Sequence, residues 1–202
     1  MSEKSAKKTG NPPSGIQPWP LLTSKVLQDF PIYQLRQDTR QSPRTGKGHD
    51  FFVLDSRDWI NVVPVTPEGN LVLIRQFRHG TASVVWEIPG GMMDVEDKSP
   101  EQAARRELLE ETGYEPVEMV FLGAVHPNPA IQNNRCHTFL AANARPRQTQ
   151  RLDSMEDIEV QEASWSEVSR MVDQGEITHS LVITALFWYR RHLANLPPPP
   201  LD

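Results

Sequence analysis

An α+β fold, mostly antiparallel strands with few helices, is predicted by three features of the 202-residue sequence. Short β-type runs fill the first half before any good helix, and one helix then carries complete start and stop signals. The length suits one compact domain with extra arms rather than two independent domains. Taken in order, β-type runs are read at 32–36, 50–54, 59–65, 71–77 and 84–88. Between the third and fourth of these, Thr66-Pro67-Glu68-Gly69-Asn70 supplies the Pro and Gly that a hairpin loop wants. The helix spans about 100–112: Ser99 can cap it, Pro100 sits at its first position, and Gln102 completes a capping box. Gly113 can take the left-handed conformation that stops it. Strand-like segments follow at 118–125, 135–141 and 158–163, then a helix over 166–174. A last helix runs from 178 to about 193, with Leu181, Val182, Ala185, Leu186 and Trp188 as its apolar surface. Residues 1–20 and the tail at 197–202 are polar or proline-rich arms with little to bury. The segment 21–48 is read as an N-terminal β addition to a main domain at 49–196, and no internal repeat is visible.

Composition excludes several classes of function. Lys and Arg number 21 against 26 Asp and Glu, a formal charge of -5, which disfavours nucleic acid as a bulk partner. The longest apolar stretch near the C-terminus, 181–187, is interrupted by Thr184 and too short to span a bilayer, so no membrane association is expected. Lysines at 4, 7 and 8 run into Gly, Asn and Pro instead of an apolar segment, so no secretory signal is read. Cys136 is the single cysteine, no intrachain disulfide can form, and a cytoplasmic location is expected.

The chemistry concentrates on the punctuated helix. At 3.6 residues per turn, Glu107, Glu110 and Glu111 fall within an arc of about 100°. Glu107 and Glu111 form a like-charge i,i+4 pair that costs about 0.2–0.5 kcal/mol, and carboxylates in the last turn oppose the helix dipole. A solvated charged face with Glu101–Arg105 and Arg106–Glu110 pairs is the plainer reading of such a surface. A hard divalent cation makes the cluster favourable, because Mg²⁺ or Mn²⁺ takes oxygen ligands shared between a few carboxylates and substrate phosphates.

The surrounding residues separate these readings. Arg106-Glu107-Leu108-Leu109-Glu110-Glu111-Thr112-Gly113-Tyr114 fits R-E-apolar-x-E-E-x-G-apolar, which average residue usage would produce about once in 10⁶ starts. The segment resembles the core of the Nudix box. Upstream, Ile88-Pro89-Gly90-Gly91-Met92-Met93-Asp94 is similar to the family's glycine turn, and Ser99-Pro100-Glu101-Gln102-Ala103-Ala104 to its helix start. One departure stands out: Lys98 and Met92 occupy the positions of the family's first Glu and of the Gly six residues before it. Counting from Gly91, the loop is one residue longer, and the first acid falls to Glu96 or Asp97.

The resemblance implies a Nudix-type α/β/α sandwich with a mixed β-sheet, and an enzyme that cleaves nucleoside diphosphates linked to another moiety with the help of Mg²⁺ or Mn²⁺. Glu107 and Glu111 map onto the main metal ligands, with Glu110 beside them as a catalytic candidate and the carbonyl of Gly90 completing the cluster. Pro129, fifteen residues after the box ends at Tyr114, resembles a feature of the ADP-ribose and nucleoside-diphosphate-sugar pyrophosphatases. The 154–160 stretch is similar to the late loop where that branch supplies a catalytic glutamate, which points to Glu156, with Asp157 and Glu159 as alternatives. Arg78 matches a substrate-contacting arginine able to grip diphosphate oxygens bidentately, and Glu87 lies where it can reach the site. The 21–48 segment resembles the region through which this branch dimerises, so a homodimer is expected. The other functions open to the family resemblance are hydrolysis of a triphosphate, dinucleoside polyphosphate or RNA end, and nucleotide binding without turnover. His126, His137 and Cys136 are read as structural, since none has a zinc-like partner.

Overall fold

The computed structural model describes residues 15–198. It divides into two compact units, residues 1–54 and 55–202, which are taken in turn. In the first, β1 (Leu21–Asp29), β2 (Gln34–Gln41) and β3 (Gly48–Asp55) form a three-stranded sheet in the order β1-β2-β3. The β1–β2 pair is antiparallel, from Leu21 opposite Arg40 to Asp29 opposite Gln34. A single buried carboxylate ties it together: Asp38 accepts from Ser24 Oγ at 2.7 Å and from Arg36 Nε at 3.0 Å. Every residue of β1 is exposed, and that explains why no strand pattern is legible over 21–29. Alternation marks a strand only where one face is buried. The arm expected at 1–20 lies outside the described residues up to 14, and 15–20 carry no regular structure. The same holds for the tail beyond 198.

The second unit contains β4 (Trp59–Val65), β5 (Leu71–Arg78), β6 (Ser83–Glu87), β7 (Gly90–Met92), α1 (Pro100–Thr112), β8 (Tyr114–Glu115), β9 (Glu118–Val125), β10 (Cys136–Ala142), β11 (Arg145–Pro146), β12 (Ile158–Ala163), α2 (Trp165–Asp173) and α3 (Ser180–Leu193). Seven strands form one mixed sheet along the path β12-β5-β4-β10-β9, with β6 on β5 and β7 on β4. Its one parallel pair among the described strands is β4–β10, in register from Cys136 opposite Trp59 to Ala142 opposite Val65. The β4–β5 hairpin closes through Gly69 N–H to Thr66 O at 2.9 Å and Thr66 N–H to Asn70 O at 2.8 Å.

Period-two alternation places the helices. Ile60 and Val62 of β4 and Phe139 and Ala141 of β10 pack with Ala103, Ala104 and Leu108 of α1. Val63 and Leu140, one residue out of phase, pack on the other face with Val168 and Met171 of α2 and Val182, Ala185 and Trp188 of α3. The result is the α/β/α sandwich with a mixed sheet that the sequence resemblance implies, with α1 alone on one face. Three short strands, β7, β8 and β11, have no sequence signature, because two or three residues carry no readable period.

Both caps of α1 are the residues the sequence indicates, while the capping box closes one residue early, Gln102 Oε1 accepting from Lys98 N–H at 3.0 Å instead of from Ser99 N–H. Ser99 Oγ accepts from Gln102 N–H at 3.1 Å, and Gly113 adopts φ 75°, donating its N–H to Leu109 O. Gly113 is also wedged against the carbonyl of Gln148, so a Cβ there would meet backbone. We predict that Gly113→Ala lowers the denaturation midpoint by the equivalent of about 2 kcal/mol or more, against about 1 kcal/mol for Ser99→Ala. Equal losses in the two variants would contradict this account of the helix stop.

Candidate active site

The site starts from a split in the sheet. Strands β4 and β5 pair only at Val65–Leu71 and then diverge; β6 follows β5 while β7 follows β4. Ile88 and Pro89 bridge the split, held by Val62 N–H donating to Pro89 O at 2.8 Å. Only glycine lets β7 lie where it does. A Cβ on Gly90 would run into the Ile60 carbonyl, and one on Gly91 would stand 2.5 Å from Glu107 Oε1. Backbone and carboxylate therefore meet without a side chain between them.

Two of the three glutamates on the α1 face are buried against this turn. Glu111 is 4% exposed and accepts from Gly90 N–H at 2.9 Å. Burial pushes its carboxyl well above the ordinary range, opposed by the Gly90 bond and raised again by the charges of Glu107 and Glu156. Burial likewise raises Glu107 to about 7, with the Arg106 guanidinium pulling the other way. Glu110 is more open and accepts from Arg106 Nη1 at 3.1 Å, as an ordinary i,i+4 pair.

Arg106 holds this edge in place. Besides Glu110 it donates to Glu107 Oε1 at 3.1 Å and to Asp97 Oδ2 at 2.8 Å. Of the two acids left open by the longer loop, the structure brings Asp97 to the arginine. Its side chain is shielded from solvent and accepts from Asp94 N–H at 2.8 Å, while Glu96 faces solvent.

Beside the glycine turn lies a pocket of about 630 Å³ whose wall includes Asn61, Arg78, Glu87, Gly90 and Gly91. Arg78 donates through Nε to Glu87 Oε1 at 2.9 Å and through Nη2 to Oε2 at 2.5 Å. Both oxygens of Glu87 are engaged, and Glu87 is 3% exposed, so it anchors Arg78 from behind. Glu156 sits on an exposed loop, its carboxylate accepting from Asp153 N–H at 3.0 Å. Its charge acts on Glu107, Glu111 and Arg78. Of the two alternatives, Glu159 pairs with Arg75 at 3.5 Å, and Asp157 is exposed as Glu156 is. Sequence reasoning missed Thr178, His179 and Ser180 as lining: the last helix is read from 178 but begins at Ser180, and nothing in these three residues marks them for the pocket. Cys136 also touches the pocket, with a thiol that burial raises to about 12, and His137 is taken up by Asp58 at 2.9 Å.

The donor set fits an oxygen-seeking divalent cation. Two buried, mutually repelling carboxylates flank a glycine turn with no lysine between them, and a cation relieves the cost of ionising both. Among the described residues no three His, Cys, Asp or Glu side chains form a complete ligand set. Such a cation would fill its shell with backbone oxygen, water and substrate. In the metal-free protein the sign of the pH effect follows from burial. Folded Glu107, at about 7, keeps its proton where the unfolded chain has lost it above about 4.5. Stability is thus full below the unfolded value and is lost as pH rises through the folded one. Chelator-treated protein is expected to show denaturation midpoints that fall from about pH 5 to pH 8, with a shallower fall in Glu107→Gln. A flat or rising profile would count against buried protonated carboxylates.

Comparison with known proteins places this geometry. Residues 56–186 match the model of the NUDIX domain. The ADP-ribose pyrophosphatase of Bacillus subtilis (strain 168) is 32% identical over 119 residues, 58% of this chain and 64% of that enzyme, so the chain spans somewhat under two thirds of it. The GDP-mannose pyrophosphatase of Escherichia coli (strain K12) is 28% identical over 177 residues, covering 82% of this chain and 92% of that enzyme. A crystal structure of an ADP compounds hydrolase superposes with a TM-score of 0.80 at 19% identity, over 91% of this chain and 98% of the other. Box, glycine turn, sandwich and family match agree: the chain belongs to the Nudix family.

Proposed function

We propose that this protein hydrolyses the pyrophosphate bond of nucleoside diphosphate sugars, ADP-ribose and similar compounds, giving a nucleoside monophosphate and a sugar phosphate. The observation that carries this reading is the buried Glu107–Glu111 pair meeting, at Gly90 and Gly91, a pocket walled by the anchored Arg78. Relatives named for ADP-ribose and GDP-mannose cleavage support the substrate class. Nudix hydrolases work with a divalent metal. Here Glu107, Glu111 and the Gly90 carbonyl would hold Mg²⁺ or Mn²⁺, which when bound polarises phosphate oxygens and makes water a better nucleophile.

The chain's own groups do the rest. Arg78, fixed by Glu87, presents its remaining donors to the diphosphate. Glu156, on the open loop, accepts the proton of the attacking water as the new P–O bond forms and the anhydride P–O bond breaks. Glu110 stands at the rim, where with Arg106 it keeps Glu107 in place. The exposed apolar residues Leu21, Leu22, Val26 and Leu27 of β1 and Phe51 and Phe52 of β3 support a homodimer formed through the N-terminal sheet. A lone cysteine fits a reducing cytoplasm.

Incubation with ADP-ribose, GDP-mannose and a nucleoside triphosphate, with Mg²⁺, with Mn²⁺ and with chelator, tests the assignment. Chelator-sensitive release of monophosphate from the sugars is expected, with Glu156→Gln lowering kcat by about 10²-fold or more at little change in KM. Cleavage of the triphosphate alone would refute it. For the dimer, sedimentation is expected at twice the chain mass of 22.9 kDa, and at the chain mass when Phe51 and Phe52 are both changed to Ser.

A further inference from the structure

His179 occupies a position that local helix energetics does not select. It is the N-cap of α3, yet its side chain makes no capping hydrogen bond, where Ser, Asn or Asp would add about 1 kcal/mol. The residue lines the pocket between Thr178 and Ser180, next to the anchored arginine, since both stand at Glu87 Oε1, Arg78 Nε at 2.9 Å and His179 Nδ1 at 3.5 Å. Its two edges differ. Nδ1 is shielded from solvent, has no hydrogen-bond partner, and stands 3.5 Å from Glu87 Oε1. The side chain as a whole is 37% exposed, so the accessible part is the other edge, which carries Nε2.

The facing Glu87 oxygen selects the tautomer with its proton on Nδ1, since the alternative would set a lone pair against a carboxylate. Burial holds the imidazole below its ordinary pKa, Glu87 opposes that shift and the Arg78 guanidinium adds to it, which keeps the ring neutral. Nε2 is then a hydrogen-bond acceptor on the accessible edge. The lining therefore sets two kinds of group side by side: a cationic donor at Arg78 for phosphate, and next to it the uncharged hydroxyls of Thr178 and Ser180 with an imidazole acceptor at His179. An acceptor suits a hydroxyl-bearing group and repels a further phosphate.

We propose that His179 is a specificity-determining residue whose Nε2 accepts a hydrogen bond from a hydroxyl of the sugar attached to the diphosphate. This rests on the nucleotide-sugar reading above and names the residue that distinguishes a sugar from another phosphate at that end. The role predicts a split between the substrate and an inhibitor that lacks its distal sugar. In His179→Phe, which keeps the ring volume, KM for ADP-ribose should rise about tenfold, the equivalent of one hydrogen bond, with kcat within about twofold. Inhibition by ADP, which keeps the adenosine but lacks the sugar on the far phosphate, should keep its constant. His179→Gln, which restores an acceptor, should recover most of the loss. An unchanged KM overturns the proposal, as does a parallel rise in KM and in the ADP inhibition constant, which would make His179 only a prop for Glu87 and Arg78. If the wild-type protein cleaves no nucleotide sugar, the substrate reading itself fails, a result distinguishable because it appears before any substitution is made.

Discussion

Two carboxylates buried side by side on one helix face are the constraint around which this molecule is organised. Glu107 and Glu111 repel each other and are withdrawn from water, and Glu111 sits in the last helical turn where the dipole disfavours it. Such a pair persists only because its surroundings fix it. Gly90 brings a backbone N–H to Glu111, Gly91 leaves room for Glu107, and Arg106 neutralises the exposed side through Glu107, Glu110 and Asp97. The divergence of β4 from β5 gives β7 the space to do this. Fold and site are in this sense one arrangement.

The second charged system, Arg78 with Glu87, is built differently. Here opposite charges are paired bidentately, and the buried partner is the carboxylate, so the guanidinium is the group left facing the pocket. The carboxylate pair calls for a cation from outside, whereas the arginine is supplied with its counter-charge and needs only a polyanion to bridge the two. A diphosphate is a ligand with this character at both ends.

Much of this was legible in the sequence, for physical reasons. The α1 boundaries follow from Ser99, Pro100 and Gly113, and the strands read at 59–65 and 71–77 follow from apolar β-type runs that prove buried on both faces. The Glu107–Glu111 face is fixed by helix geometry once α1 is placed. Strand β1 could not be read, because all of its residues are exposed and no alternation develops. Glu87 was legible as an acid near the site but not as the anchor of Arg78, a contact that depends on the register of β5 against β6. His179 gave no signal at all. Its place in the pocket is decided by where the loop before α3 lands, 92 residues beyond Glu87 in the chain, and only tertiary structure supplies that.

The central claim is that the buried pair is a cation site, and binding of Mn²⁺ followed by electron paramagnetic resonance tests it most directly. The wild-type protein should remove free Mn²⁺ from solution with an affinity that increases with pH, as ligands that must lose protons require. Glu107→Gln and Glu111→Gln should each weaken that binding while retaining the native fold by circular dichroism. Undiminished binding in both folded variants would place the cation elsewhere and contradict the account.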